Sequence, residues 1–341
     1  MKYEKICLTP RVSGVGGMVS FRNKLKKGLE KRGVLVTEDL NDRPYDAVLV
    51  IGGTRQIQAL WHTRQAGIPI IQRLDGMNWI HRKRYTGLRH FLRSEYGNWL
   101  LAFIRRRLAT HIVYQSQFVV KWWEQRYPQI AAPYTVIHNG VDLNMYTPCG
   151  EHKRPEDVFH ILLVEGALGG GYEIGLESAV QLTALLTQKY NLPVELVVVG
   201  KVMPHVKAKM NKKTSIPIHW AGLVPQHQIP YIDRSAHLLY SADLNAACPN
   251  SVIEALACGL PVAAFDTGAL AELVTGDSGK IVPYGGNPWN LDPPDIPSLA
   301  EAAIEVLENQ PLFRKTARER AQEAFSLDEM VEAYFKVLLE S

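Results

Sequence analysis

Cysteine is scarce and scattered. Cys7, Cys149, Cys248 and Cys258 are the four in 341 residues, and no two of them form a C-x-x-C pair. That argues against a zinc site and against a disulfide framework, and it suits a reducing compartment. No apolar run approaches the roughly 20 residues needed to span a bilayer. The opening MKYEKICLTP has a charged start but no long apolar stretch behind it, so a secretory signal is not expected and a cytoplasmic location is. Low-complexity tracts and repeats of solenoid period are also missing.

Excess charge is small too, at +4 from 38 Lys and Arg against 34 Asp and Glu. Cutting the chain near residue 148 shows what this total hides. Residues 1–148 carry 23 basic against 10 acidic side chains, and the remainder carries 15 against 24. A length of 341 residues suggests two domains with full-sized cores. An asymmetry of +13 against −9 points to a partner for the basic half.

The apolar runs are short, β-rich and bounded by turn residues, as in buried strands of a parallel sheet. In the first half they are Ile6–Thr9, Val34–Thr37, Ala47–Ile51, Ile68–Leu74, His111–Gln115 and Tyr134–His138. A helix over Gly17–Arg32 with Gly33 as its stop is expected between the first two. The alternation restarts with Phe159–Val164, Val194–Val199, Ile216–Trp220, His237–Tyr240, Pro261–Phe265 and Lys280–Val282, with helices over Glu173–Tyr190 and Ser251–Cys258. The expected fold class is α/β, with two Rossmann-like doubly wound domains facing across a cleft. The domains are 1–150 and 151–341, with polar EHKRPED (151–157) as the linker and the last helix as a candidate to pack back on the first domain.

The densest chemical signal is CPNSVIEALACGLPVAAFDTGALAELV, from Cys248 to Val274. Asn250 and Ser251 can open a helix whose first N–H groups are free to meet an anion. Glu254 is expected in the first turn, where its carboxylate could accept hydrogen bonds from two vicinal hydroxyls. The competing reading is an ordinary helix glutamate. Farther back, Gly14, Gly16 and Gly17 turn from a strand into a helix but fall short of a full G-x-G-x-x-G. Asn139 and Asp142, in HNGVD, suit turn chemistry at the end of the first domain.

With these stretches in order, the chain resembles the retaining GT-B glycosyltransferases of the glycosyl transferases group 1 (family 4-like) group, relatives of sucrose and glycogen synthases and of phosphatidylinositol mannosyltransferases. The segments carrying the resemblance are SGVGGMVSFRNKLKKGLEKRG, HIVYQSQFVVKWW, VIHNGVDLNMYTP, VELVVVG, WAGLVP and the Glu254 and FDTGALAELV stretches. The resemblance implies a GT-B fold and a nucleotide-diphosphate sugar held by the second domain. It also implies a hydroxyl acceptor held by the first and transfer with retained anomeric configuration. Glu254 matches the family's ribose-binding glutamate, and Gly16 and Gly17 match a loop beneath acceptor and donor phosphates. Neither a metal nor a cofactor beyond the sugar nucleotide is expected, and the leaving phosphate is expected to take the acceptor's proton.

Three departures stand out. The family's earlier motif glutamate, eight positions before Glu254, is replaced by Ala246. Its Arg and Lys for the diphosphate fall at Gly166 and Gly171 in VEGALGGGYEIGLES. Gly169, Gly170 and Gly171 offer a backbone anion nest instead, or a turn that lets helix and strand approach closely. Lys201, after the Val194–Val199 strand, is the nearest cation for the diphosphate. The family's histidine after the fourth strand is replaced by Asp75, which could bond a sugar hydroxyl, with Arg73 binding phosphate or fixing Asp75. An internal Arg73–Asp75 pair is the alternative.

From Trp79 to Arg126 there are ten Lys and Arg against Glu95 and Glu124, interleaved with aromatics that include Trp79, Tyr85, Phe91, Tyr96, Trp99, Phe103, Trp122 and Trp123. This composition suits an anionic membrane surface and a lipid-linked acceptor. The alternative is a solvated basic face with its aromatics in the core. No RNP-like, helix-turn-helix or zinc-finger signature supports nucleic acid. The leading expectation is a metal-independent retaining hexosyltransferase at the inner membrane face, serving glycolipid or envelope-polysaccharide synthesis. A non-catalytic nucleotide-sugar-binding or scaffold protein and a nucleotide-sugar epimerase are the alternatives.

Overall fold

The computed structural model describes residues 4–14, 16–169 and 173–340. The chain divides into two units, Met1–Gly140 with Leu327–Ser341, and Val141–Ser326. In the first unit the strands are β1 (Lys5–Thr9), β2 (Leu35–Thr37), β3 (Ala47–Ile51), β4 (Ile70–Leu74), β5 (His111–Tyr114) and β6 (Tyr134–Val136). They form one parallel sheet in the order β2-β1-β3-β4-β5-β6. Between them run α1 (Gly17–Lys31), α2 (Ile57–Gln65), α3 (Leu88–Arg107) and α4 (Gln117–Arg126).

The second unit repeats the plan with β7 (Phe159–Leu168), β8 (Val194–Val202), β9 (Ile218–Gly222), β10 (Leu238–Tyr240), β11 (Val262–Phe265) and β12 (Gly279–Val282). These are again all parallel, in the order β12-β11-β10-β7-β8-β9. Its helices are α5 (Glu173–Tyr190), α6 (Pro204–Lys213), α7 (Ile229–Ser235), α8 (Asn250–Ala257), α9 (Leu270–Leu273), α10 (Ile296–Glu308) and α11 (Gln310–Ala324).

All five residues of β3 and all five of β4 are buried, because helices cover both faces of a parallel sheet. That burial extends to Gln72, whose Nε2 donates to the carbonyls of Gly52 (2.8 Å) and Leu101 (3.2 Å). Gly33 stops α1 at φ +81°, a left-handed conformation that only glycine adopts without strain, and its N–H reaches back to the Glu30 carbonyl.

The last helix, α12 (Leu327–Leu339), belongs to the first unit. Met330, Val331, Tyr334 and Leu338 recur at helical spacing and join Phe21, Leu25 and Leu29 of α1 in one core cluster. Phe21 and Tyr334 meet with ring centroids 5.1 Å apart. Gly28 makes room for this, since a Cβ there would collide with Val331.

The division between units falls at Gly140/Val141, ten residues before the expected boundary, and 151–157 is not a linker between them. Arginines clamp the whole 141–151 segment to the second unit. Arg318 donates to the carbonyls of Leu143 (3.1 Å), Tyr146 (2.8 Å) and Ala257 (2.7 Å). Arg234 donates to those of Thr147 and Glu151, both at 3.1 Å. Backbone carbonyls make these bonds, so the sequence carries no local trace of them. Arg318→Ala should destabilise the protein by about 2–3 kcal/mol, because a charged donor is lost and three carbonyls are left short of partners. The check is chemical denaturation followed by tryptophan fluorescence.

Candidate functional site

In the first unit the expected site residues gather where β1 and β4 end. Gly16 caps α1 at φ +146° without any side-chain cap, and Gly17 opens the helix. Both glycines are exposed, so the first N–H groups of α1 meet solvent unobstructed. Arg73, on β4, is 3% exposed. Its guanidinium lies 3.7 Å over the Phe21 ring and donates to Asn139 Oδ1 at 2.7 Å, while its Nε is buried without a partner. Asn139 is therefore more than a turn residue, whereas Asp142 does build a turn, accepting from the N–H groups of Asn144 and Met145.

Asp75 makes no ion pair with Arg73. Its carboxyl is pushed above the usual carboxylate range by burial, and the Arg73 charge opposes that shift from a distance. Its backbone is fixed instead, through a bond from Trp123 Nε1 to the Asp75 carbonyl at 2.9 Å. The internal-pair reading fails because β4 turns Arg73 toward Asn139, which lies 66 residues away in sequence.

In the second unit β7 runs four residues beyond the expected Val164. A register shift between Val164 and Ala167 lets the ladder with β8 continue to Leu168. Gly166 therefore sits in an irregular strand rather than in a loop. Gly169 follows it, half-buried, whereas Gly170 and Gly171 lie outside the described residues. Lys201 stands on β8 opposite Ala167, exposed and, among the described residues, without a hydrogen bond or ion pair.

Helix α8 starts at Asn250, with Ser251 next, and its cap residue Pro249 offers no side-chain bond. Glu254 lies in the second turn rather than the first, so the pull of the helix N-terminus on it is weaker than expected. Its side chain is 92% buried. The Glu254 charge and burial together hold the neighbouring Asp233 carboxyl well above the usual range, and both also raise Cys258. Ala246 is buried, with Gly268 (φ +63°) pressed against its backbone and Ala269 donating to its carbonyl.

Sequence reasoning missed two carboxyl groups. Glu165 on β7 and Asp243, just past β10, line one cavity of about 230 Å³ with Ala167, Leu168 and Ala242. β7 and β10 are the neighbours between which the strand order reverses, the place where open α/β sheets take ligands. Burial pushes Asp243 up to about 6, and burial with the Asp243 charge raises Glu165 well above its ordinary value. The signal lies in VEGALGG and SADLN, where an acid stands close to each strand end. Among the described residues no three His, Cys, Asp or Glu side chains converge as a metal-binding set.

Comparison with known proteins places this geometry. Across 99% of the chain the fold matches all of sucrose-phosphate synthase from Thermosynechococcus elongatus, with a TM-score of 0.75 at 16% identity. It matches Anabaena HepE, solved with UDP-glucose, with a TM-score of 0.69 at 16% identity over 99% of this chain and 100% of that one. WaaG, a glycosyltransferase involved in lipopolysaccharide biosynthesis, gives 0.70 at 14% identity with the same coverage. No curated protein sequence matches. The fold is thus GT-B, two Rossmann-like units in one chain. Residues 160–309, all within the second unit, match the family model Glycosyl transferases group 1.

The Glu165–Asp243 pair makes stability depend on pH. Both folded-state values lie above the unfolded ones, so each group's contribution is full in acid and is lost as pH rises, Asp243's through about 6. Asp243→Asn should therefore gain about 2 kcal/mol over the parent at pH ~8 and much less at pH ~4.5. Thermal denaturation at the two pH values checks it.

Proposed function

We propose that the protein is a retaining glycosyltransferase, of hexosyltransferase type and metal-independent, that moves a sugar from a nucleotide-diphosphate sugar to a hydroxyl acceptor. The observation that carries this reading is the group 1 match over residues 160–309, with Glu254 inside it on α8. Support also comes from HepE, a fold relative solved with UDP-glucose. In this reading Glu254 accepts from the ribose hydroxyls. The diphosphate meets the N–H groups opening α8 at Asn250 and Ser251, the backbone from Gly169 to Gly171, and Lys201.

The raised carboxyls of Glu165 and Asp243 have a role here. Two full negative charges beside a diphosphate would repel it, and protonation of either carboxyl removes one of them. Asp75 bonds a hydroxyl of the transferred sugar. Arg73, with its unpartnered Nε, and the Gly16–Gly17 opening of α1 serve acceptor and phosphate. No side chain here is assigned as a nucleophile. The leaving phosphate oxygen takes the acceptor's proton, and the protein works by positioning and by electrostatics. The acceptor is a lipid-linked envelope or glycolipid precursor met at the cytoplasmic face of the membrane. No described helix is long and apolar enough to cross that membrane, so the contact is peripheral.

A second reading, a nucleotide-sugar-binding protein without transferase activity, is favoured by Ala246 and by glycine at 166 where a phosphate cation is expected. Thermal shift with UDP-, GDP- and ADP-sugars, followed by assay of nucleotide release, separates the two. We expect stabilisation by one nucleotide class, with slow release of nucleotide. Stabilisation without release under any acceptor condition would favour the binding protein, and no stabilisation at all would sink both readings. Glu254→Gln should abolish the nucleotide-induced shift. Asp75→Asn should lower turnover at least about tenfold, the loss of one transition-state contact, at unchanged melting temperature.

A further inference from the structure

Helix α3 leaves much of its apolar surface uncovered. Its buried positions, Ser94, Asn98, Leu100, Ile104 and Arg105, mix polar with apolar, while Leu88 (69% exposed), Leu92 (60%), Tyr96 (46%) and Trp99 (55%) stand in solvent. At 100° per residue these four fall within one narrow stripe, which half-buried Phe103 continues. Aromatics at helical spacing normally mark a core face. Here Leu100 and Ile104 pack into the core, but a second apolar stripe faces solvent, and the polar groups buried beside Leu100 and Ile104 are matched to partners. Asn98 exchanges hydrogen bonds with the Asn78 backbone at 2.9 and 2.8 Å. Arg105 donates to Tyr114 Oη at 2.8 Å and to the Pro128 carbonyl at 3.1 Å. These bonds fix the rotation of the helix, so the apolar stripe is held outward.

The stripe is about 22 Å long from Leu88 to Phe103. Tyr96, Trp99 and Phe103 stack along it, with centroids 5.9 and 5.4 Å apart. Tyr85, 94% exposed, extends the apolar surface ahead of the helix. On its flanks Arg89, Arg93, Arg106 and Arg107 are exposed and, among the described residues, pair with no carboxylate. The one acid of α3, Glu95, is taken up by His81 and Arg82, each at 2.7 Å. A cavity of about 310 Å³ opens beside the stripe between Trp99, Phe103, Arg106, Tyr127 and Pro128, with an apolar floor and arginine at its rim.

We propose that α3 is a membrane-docking helix that lies in the plane of an anionic lipid surface, with the Leu88–Phe103 stripe in the acyl boundary and the flanking arginines on lipid phosphates. Charge decides the occupant. A protein face would have to supply several carboxylates along a ridge with none of its own, whereas an anionic leaflet supplies negative charge everywhere at once. Tyrosine and tryptophan at the water boundary suit the same partner, with apolar rings and polar tips. This deepens the membrane-face part of the proposed function and rests on it. It says which surface of the enzyme reaches the lipid-linked acceptor.

The test is cosedimentation of the full chain with phosphatidylcholine vesicles, with and without phosphatidylglycerol, in the absence of nucleotide sugar. Binding should require phosphatidylglycerol and weaken with added salt. The double variant Leu92→Ser/Trp99→Ser should bind at least about tenfold less, through lost apolar burial. Arg89→Glu/Arg93→Glu should lose more than about tenfold on anionic vesicles. All four side chains are exposed, so melting temperatures should stay at the parent value. Equal sedimentation with and without phosphatidylglycerol, or parent-like binding by both variants, would overturn the proposal. So would a dimer in sedimentation velocity that Leu92→Ser/Trp99→Ser dissolves, since the stripe would then be a subunit interface. The thermal shift with nucleotide sugars is run in parallel: vesicle binding without nucleotide stabilisation counts against the transferase reading alone.

Discussion

Every strand in both sheets runs parallel to its neighbours, and this one constraint decides where chemistry can happen. Parallel strands release all their strand-to-helix loops at a single edge, while helices bury the faces. Polar side chains are therefore confined to strand ends or must be paired inside. Arg73, Asp75, Lys201 and Asp243 lie at or just past strand ends, and Glu165 sits at the register shift late in β7. Gln72, one residue deeper, has no such exit and spends its amide on two backbone carbonyls. Gly14 and Gly16 follow β1 in the first unit and Gly169 follows β7 in the second, each where a bare backbone leaves room at the strand-to-helix turn of its own sheet.

The second unit resolves an electrostatic conflict at that edge in an unusual way. Near the ends of β7, β8 and β10 this sheet presents, among the described residues, the cation of Lys201 and the part-buried carboxyl groups of Glu165 and Asp243. The carboxyls are tolerable because burial makes them weak acids, Asp243 rising to about 6. The charge at this edge therefore shifts with pH near 6. The first unit is different: its cation, Arg73, is buried on an aromatic ring and aimed by Asn139.

Much of the fold was legible because the governing signals are local. Ala47–Ile51 is five apolar residues in a row between turn formers, and Glu173–Tyr190 keeps a helical period to its last turn. What escaped was non-local. The extension of β7 depends on a register shift against β8, and the end of the first unit depends on arginines from α11 and α7 gripping backbone carbonyls. Within the site, Glu254 was placed in its helix by pattern, but its turn was misjudged because the cap proved to be Pro249. For α3 the composition left two readings open, aromatics on a surface or in the core. Periodicity reports which residues share a face, and the burial of Leu100 and Ile104 with the partners of Asn98 and Arg105 decides which way that face turns.

The return of α12 to the first unit has a consequence for how the protein is made. Its second unit is one unbroken segment, complete once residue 326 has emerged from the ribosome. The first unit begins sooner yet stays open, because Phe21, Leu25 and Leu29 wait for Met330, Val331, Tyr334 and Leu338 to cover them. Birth order and finishing order are reversed, and the earliest part of the chain to be synthesised is the last to close.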